Sequence, residues 1–169
     1  MSVCSKSPAP SFTSTEFRAA LGTFATGVTI VTARKADGTL VGLTANSFNS
    51  VSLSPALVLW SLARAAGSFH TFSNGSHYAI NVLGAAQQLL ARRFSEKVAN
   101  RFEGVQWESG IGGAPLIQGA IAHFECFNRS QYQEGDHIIF VGEVERCSHT
   151  AGASPLLYHG GKFYAEHPL

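Results

Sequence analysis

From residue 42 to residue 54 the chain reads Gly42-Leu43-Thr44-Ala45-Asn46-Ser47-Phe48-Asn49-Ser50-Val51-Ser52-Leu53-Ser54, a run dominated by small, hydroxyl-bearing or amide-bearing side chains. Such chemistry holds a planar heterocycle with a polar edge, which needs short donors and backbone N–H groups along one rim and apolar groups over its faces. As one strand, the run puts Thr44, Asn46, Ser50 and Ser52 on one face and Ala45, Ser47 and Val51 on the other. The same composition also suits a solvated strand of an ordinary sheet, and both readings stand at this point.

A second candidate is Gly135-Asp136-His137. A histidine following a tight turn presents an imidazole that titrates near neutrality, suited either to a pocket mouth or to a plain surface turn. A third group is basic, Arg64 with Arg92 and Arg93. Arginine forks suit phosphate, yet arginines closing a helix also answer the macrodipole. The other histidines, His70, His77, His123, His149, His159 and His167, show no H-E-x-x-H or similar ligand spacing, so no metal is expected. There is no G-x-S-x-G for a serine hydrolase and no G-x-G-x-x-G for a Rossmann dinucleotide site.

Elements must position these groups, and the chain's punctuation locates them. Met1 to Ser11 reads as a disordered lead-in, residues 1–12 in all, ahead of a single domain over 13–169. Thr13 and Glu16 have capping-box spacing, and Phe17, Leu21 and Phe24 make one apolar helical stripe ended by Thr26-Gly27. A strand is predicted over Val28–Ala33, a turn at Asp37-Gly38, one long strand over Gly42–Ser54, and a buried strand over Ala56–Leu62. Ser68 is placed to cap a short helix to Ser73, followed by a strand over Tyr78–Leu83 and a helix over Ala85–Phe94. Glu103–Pro115 is glycine-rich and reads as a loop. Ala120–Tyr132 and His137–Ser148 read as paired antiparallel strands, with a last short strand at Lys162–Ala165. Hairpin-linked strands with helices inserted at intervals favour a mainly β antiparallel barrel over a doubly wound sheet.

Composition narrows the classes further. With 169 residues the chain can bury one core without staples. Its charged fraction is 14%, against about 25% in ordinary soluble domains, which suggests a surface partly covered by a second copy of the chain. A net charge of +1 without a Lys/Arg run argues against nucleic acid, and no long apolar run suggests a membrane span. Cys4, Cys126 and Cys147 are odd in number and widely spaced, which fits reduced thiols in the cytoplasm.

In order and spacing, several segments resemble the flavin reductase family, the small reductase components of two-component flavin monooxygenases. They are Phe24-Ala25-Thr26-Gly27-Val28, Gly42-Leu43-Thr44-Ala45-Asn46-Ser47, Ser50-Val51-Ser52-Leu53-Ser54-Pro55, Asn81-Val82-Leu83, Phe94, Gly135-Asp136-His137, and Pro155-Leu156 before Tyr158. The resemblance implies the flavin-binding split barrel, while the homodimer is the expectation drawn from the sparse surface charge. It implies FAD or FMN as flavin, NADH or NADPH as hydride donor, and a separate monooxygenase as the recipient of reduced flavin. Carried over residue by residue, it puts Thr44, Ala45, Asn46 and Ser47 at the isoalloxazine edge and Ser50, Val51 and Ser52 toward the ribityl chain and phosphate. Ser61, Leu62, Ala63 and Ser68 form a second flavin-contacting stretch, and Arg93 and Phe94 a third. His137 would position the nicotinamide, with Tyr158 and Gly160 nearby. The chain departs from the family pattern at Ala56, where a second proline is common, and around Arg64 to Gly67. Rival readings are a flavin-binding electron carrier, a tight-flavin oxidase resembling pyridoxamine-phosphate oxidases, and a non-enzymatic dimerisation domain.

Overall fold

The computed structural model describes residues 11–167. Helix α1 (Ser14–Gly22) begins where the capping box predicts: the Thr13 hydroxyl accepts from Glu16 N–H, and the Glu16 carboxylate accepts from Thr13 N–H at 2.7 Å. Its apolar stripe does not pack into this chain. Phe17, Leu21 and Phe24 are 50%, 58% and 76% exposed, and no α1 residue is buried. Beyond it run β1 (Thr26–Gly27), β2 (Thr29–Arg34), β3 (Leu40–Ala45), β4 (Asn49–Leu53), β5 (Ala56–Ala63), α2 (Phe69–Asn74) and β6 (His77–Val82). A short 3-10 turn (Ala85–Gln87) leads into α3 (Gln88–Ser95), followed by β7 (Trp107–Ser109), β8 (Pro115–Ile117), β9 (Ala122–Glu134), β10 (His137–His149), β11 (Leu156–His159) and β12 (Lys162–Ala165).

Seven strands form one antiparallel sheet in the order β3-β2-β6-β9-β10-β5-β4. Its two edges, β3 and β4, are consecutive in the chain and joined only by Asn46–Phe48. That connector reaches at most about 14 Å. A flat seven-stranded sheet would hold its edges roughly 29 Å apart. The sheet therefore rolls until its edges approach, and Ser47 marks the seam. Its hydroxyl accepts from Ser61 N–H at 2.9 Å and donates to Ser61 O at 3.3 Å, tying the connector to β5. The edges meet through a connector rather than a ladder, so the architecture is the expected mainly β split barrel.

The expectation of one long strand over Gly42–Ser54 is corrected by this topology. Ala45 pairs with Thr29 of β2 whereas Asn49 pairs with Leu59 of β5, so the run is two strands on opposite edges. Thr44 and Asn46 therefore share no face with Ser50 and Ser52 in the simple period-two sense, and a bulge at Val51 breaks the alternation again. Glu103–Pro115 is likewise not all loop: it contains β7 and the start of β8, which pair with each other. Strands β1 and β11, absent from the sequence reading, join β12 in a three-stranded sheet.

Strand alternation divides the barrel into an inside and an outside. Inside, Trp60 stacks on Phe140 at 4.8 Å and meets Phe72 and Tyr78 edge-on, all four essentially inaccessible. Val31, Ala33, Ala45, Leu62 and Ile138 complete that core. Outside, α3 lays Ala91 and Phe94 against Val28, Ile30, Leu83 and Leu156, forming a second core on the β2–β3 flank. Gly42 makes this possible, because a Cβ there would stand 2.6 Å from the Phe94 ring.

Candidate functional site

The residues singled out by the sequence gather on the outer face at the seam. Along β5 the even-numbered Trp60 and Leu62 point into the core, which leaves Ser61 and Ala63 half-buried on the outside. Ser61 is held against Ser47, and Ala63 lies directly opposite His137 of β10. One patch thus runs from the β3–β4 connector across β5 to the start of β10. Thr44 also faces outward, its hydroxyl donating to Ala91 O at 2.6 Å and so fixing β3 beneath α3. With Asn46, Arg92, Tyr158 and Phe163 it lines a cleft of about 390 Å³. Tyr158 and Phe163 are partners across the β11–β12 hairpin at 5.4 Å, and the Arg92 guanidinium lies over the Phe163 ring at 5.7 Å.

The hairpin that brings those aromatics in turns at Gly160-Gly161, with φ of +55° and +80°. A two-residue turn needs positive φ at both central positions, hence the glycine pair. Gly160 N–H donates to Gly22 O at 2.9 Å, which anchors the hairpin to the end of α1. Gly160 therefore shapes the site rather than presenting a side chain to it.

Other candidates fall elsewhere. Ala45 and Leu62 are core residues whose side chains face inward, and the Ala45 carbonyl accepts from the Thr29 hydroxyl at 2.8 Å. Phe94 is wholly buried behind Gly42. Arg93 turns away from the Thr44 cleft and donates to Glu103 O, lining a different hollow with Val105 and Gln118. Arg92 occupies the cleft instead. Nothing local separates these two arginines in sequence, since both flank the apolar face made by Ala91 and Phe94. Ser50, Val51 and Ser52 continue from the connector along β4, opposite Val58 and Leu57 at the far end of β5 from His137. Ser68 lies on a neighbouring, larger cleft with Lys35 and Arg101.

His137 closes the patch. Its ring nitrogen Nδ1 stands 2.7 Å from the Asp136 carboxylate, and its side chain is about half exposed. The hydrogen bond and the adjacent imidazole charge hold the Asp136 carboxyl below its ordinary value. The Asp136 carbonyl accepts from Arg64 N–H at 2.9 Å, so the loop carrying the pair is tied to the end of β5. Among the described residues no group of three or more His, Cys, Asp or Glu could hold a metal ion, and no helix is long and apolar enough to cross a membrane.

The donor set fits a flavin. Among the described residues, no backbone carbonyl takes the N–H groups of Asn46, Ser47 and Phe48, which therefore stand free at the seam beside the Asn46 amide, while the Thr44 and Ser47 hydroxyls give their protons to Ala91 O and Ser61 O and offer lone pairs only. Apolar surface from Ala63 and the Tyr158–Phe163 pair borders that polar rim. This combination of a polar edge and flat apolar walls is what an isoalloxazine needs.

Comparison with known proteins decides the family. The model of the flavin reductase like domain matches residues 21–167. The chain belongs to the flavin reductase family. It is 47% identical over 150 residues to the NADH-dependent FMN reductase of Agrobacterium fabrum, covering 89% of this chain and 84% of that one. It is 42% identical over 149 residues to the reductase component of the flavin-dependent trigonelline monooxygenase of Acinetobacter baylyi, covering 88% of this chain. There it spans about half of the relative's length, 48%. Among solved structures, the NADH:FAD oxidoreductase of Streptomyces globisporus, in complex with NAD and FAD fragments, superposes with a TM-score of 0.87. The two are 40% identical, and the match covers 91% of this chain and 93% of that one.

Proposed function

We propose that this member of the flavin reductase family is an NAD(P)H:flavin oxidoreductase that passes a hydride from NADH or NADPH to FAD or FMN. Reduced flavin then leaves for a separate flavin-dependent monooxygenase. The observation that carries this reading is the seam: a connector with free N–H groups, flanked by Thr44, Ser47 and Ser61, on the same outer patch as His137. Relatives named as NADH-dependent FMN and FAD reductases, and as reductase components of monooxygenases, support it.

When bound, the flavin supplies an N5 that accepts hydride, chemistry that belongs to the cofactor. The chain's own residues supply position. Asn46, Ser47 and Ser61 hold the polar edge, while Ser50, Val51 and Ser52 guide the ribityl end along β4. Tyr158 and the Gly160 turn wall the cleft from the C-terminal side, and His137, steadied by Asp136, orients the nicotinamide. Holding donor and acceptor at van der Waals separation makes a bimolecular transfer effectively unimolecular. No side chain here is assigned an obligatory proton transfer.

The working unit is a homodimer of a single domain over 13–169, acting in the cytoplasm. The outer rows of the sheet support the dimer. Tyr132, Ile139 and Ser61 stand side by side, as do Val141 and Leu59, and the apolar members are only part-covered within the chain. Leu53 is 96% exposed, and the α1 stripe lies open as well. The free thiols of Cys126 and Cys147 suit a reducing compartment.

The test is NADH and NADPH oxidation by the 169-residue chain with FAD, FMN and riboflavin in turn. Turnover with at least one pair is expected, along with loss of yellow flavin on gel filtration. Absence of turnover with every pair would overturn the assignment, and flavin retained through the column would favour a tight-flavin oxidase.

A further inference from the structure

Helix α3 and strand β3 supply two walls of the Thr44 cleft, and the two are joined at two points. One tie is direct, the Thr44 hydroxyl donating to Ala91 O at 2.6 Å. The other runs through Arg101, which belongs to none of the family segments. Its Nε and Nη2 donate to Glu96 O at 3.1 and 2.7 Å, and its Nη1 donates to Gly42 O at 3.1 Å. Glu96 caps the C-terminus of α3, where the last carbonyls have no partner within the helix. Gly42 lies on β3, an edge of the seven-stranded sheet, where main-chain groups lack a second neighbouring strand. One guanidinium thus satisfies carbonyls from both walls.

The side chain suits that task. A guanidinium is planar, holds its donors in a fixed fork, and carries a charge favoured at a helix C-terminus. An ammonium has no such fork. Among the described residues no acidic side chain stands within 4.0 Å of Arg101, so main-chain carbonyls alone hold it. Phe102, the next residue, seats the segment. Its ring meets Phe94 edge-on at 5.0 Å, and both rings close over Gly42, where a Cβ would stand 2.6 Å from Phe94 and 3.2 Å from Phe102.

Between the two ties α3 carries Arg92 and Ser95, which with Glu96 line the Thr44 cleft together with Thr44 and Asn46. Arg101 does not line that cleft; it borders the neighbouring, larger one and so acts on the walls from behind. We infer that Arg101 is a positioning residue: by tying the end of α3 to β3 it fixes the spacing of the walls that hold the flavin, without touching the ring. The inference rests on the reductase reading.

Two variants and two measurements test it. Arg101→Met keeps the stem and loses all three bonds, whereas Arg101→Lys keeps the charge without the fork. In fluorescence titrations Arg101→Met is expected to weaken riboflavin and FMN alike by about tenfold, because shifted walls misplace either flavin. KM for flavin carries the change, and kcat at saturating flavin stays within about twofold. Arg101→Lys follows the same pattern and restores little. Weakened FMN with unchanged riboflavin would make Arg101 a phosphate contact and overturn the inference. Full recovery by Arg101→Lys, or binding by Arg101→Met equal to that of the unmodified chain, overturns it too.

The second measurement, amide hydrogen exchange without flavin, keeps the tie testable apart from the ligand. Arg101→Met is expected to quicken exchange over Arg92–Glu96 and leave the interior of β6 unchanged. Faster exchange with unaltered flavin binding reduces Arg101 to a structural tie and sinks the positioning role. If the unmodified chain binds no flavin while the variant still exchanges faster, the reductase reading falls and the tie between the walls stands. Equal flavin binding by variant and unmodified chain does the reverse. Circular dichroism and Tm check each fold, and should Arg101→Met fail to fold, Arg101→Lys carries both measurements.

Discussion

Neighbouring residues of β5 live in different worlds. Trp60 and Leu62 are sealed in an aromatic core, whereas Ser61 and Ala63, one residue away, stand on the outer patch beside Ser47 and His137. The period of two in a strand lets one segment stabilise the barrel with one face and serve chemistry with the other. Stability and function are therefore separable by alternate residues, and substitutions can break or sharpen that contrast.

The largest effect belongs to the inside. Trp60→Ala empties the space between Phe140, Phe72 and Tyr78 and is expected to cost about 3–5 kcal/mol in urea unfolding. Next comes Gly42→Ala, where the added methyl meets the Phe94 ring at 2.6 Å and forces α3 outward. A loss of about 1–3 kcal/mol is expected, again by denaturant. Because α3 also borders the Thr44 cleft through Arg92 and Ser95, this variant also weakens flavin binding, which Trp60→Ala does only by unfolding.

Outside, stability and function should part company. His137→Ala touches only the exposed pair with Asp136, so Tm stays nearly unchanged while KM for NAD(P)H rises about tenfold. A collapse of kcat at saturating nicotinamide would instead make His137 a participant in the chemical step. The smallest effect is that of Ser47→Ala, which removes two seam hydrogen bonds for about 1 kcal/mol of stability. Fluorescence titration should show weaker flavin binding in that variant, while riboflavin and FMN are affected alike.

The same contrast explains what was legible in the sequence. Capping at Thr13, the buried run of β5 and the β9–β10 hairpin are local signals, and each appears where its residues indicate. The break after Ala45 is not local. Small polar residues continue unchanged through Asn46 to Ser52, and only pairing with Thr29 on one side and Leu59 on the other divides them. Strands β7 and β8 were hidden for a similar reason. Their segment is fastened from a distance, by Thr32 donating to Pro115 O at 2.6 Å and by Asn81 accepting from Ile117 N–H at 2.8 Å. The helical stripe of α1 is apolar as its spacing predicts, yet among the described residues it stays exposed, because spacing reports a face and not what covers it.

For the site, family resemblance named segments but could not separate their faces. Thr44, Asn46, Ser47, Ser61 and His137 reach the outer patch, whereas Ala45, Leu62 and Phe94 serve the interior beneath it. Arg92 and Arg93 show the limit most clearly, because adjacent arginines on one helix turn to different clefts.

Amide hydrogen exchange with and without FAD tests the seam as the flavin site most directly. Slowed exchange at Asn46–Phe48, extending into Ser50–Ser52 and Ser61–Ala63 with the interior of β6 unchanged, is the expected result. Protection confined to other segments, with the β3–β4 connector exchanging as fast as before, would contradict it.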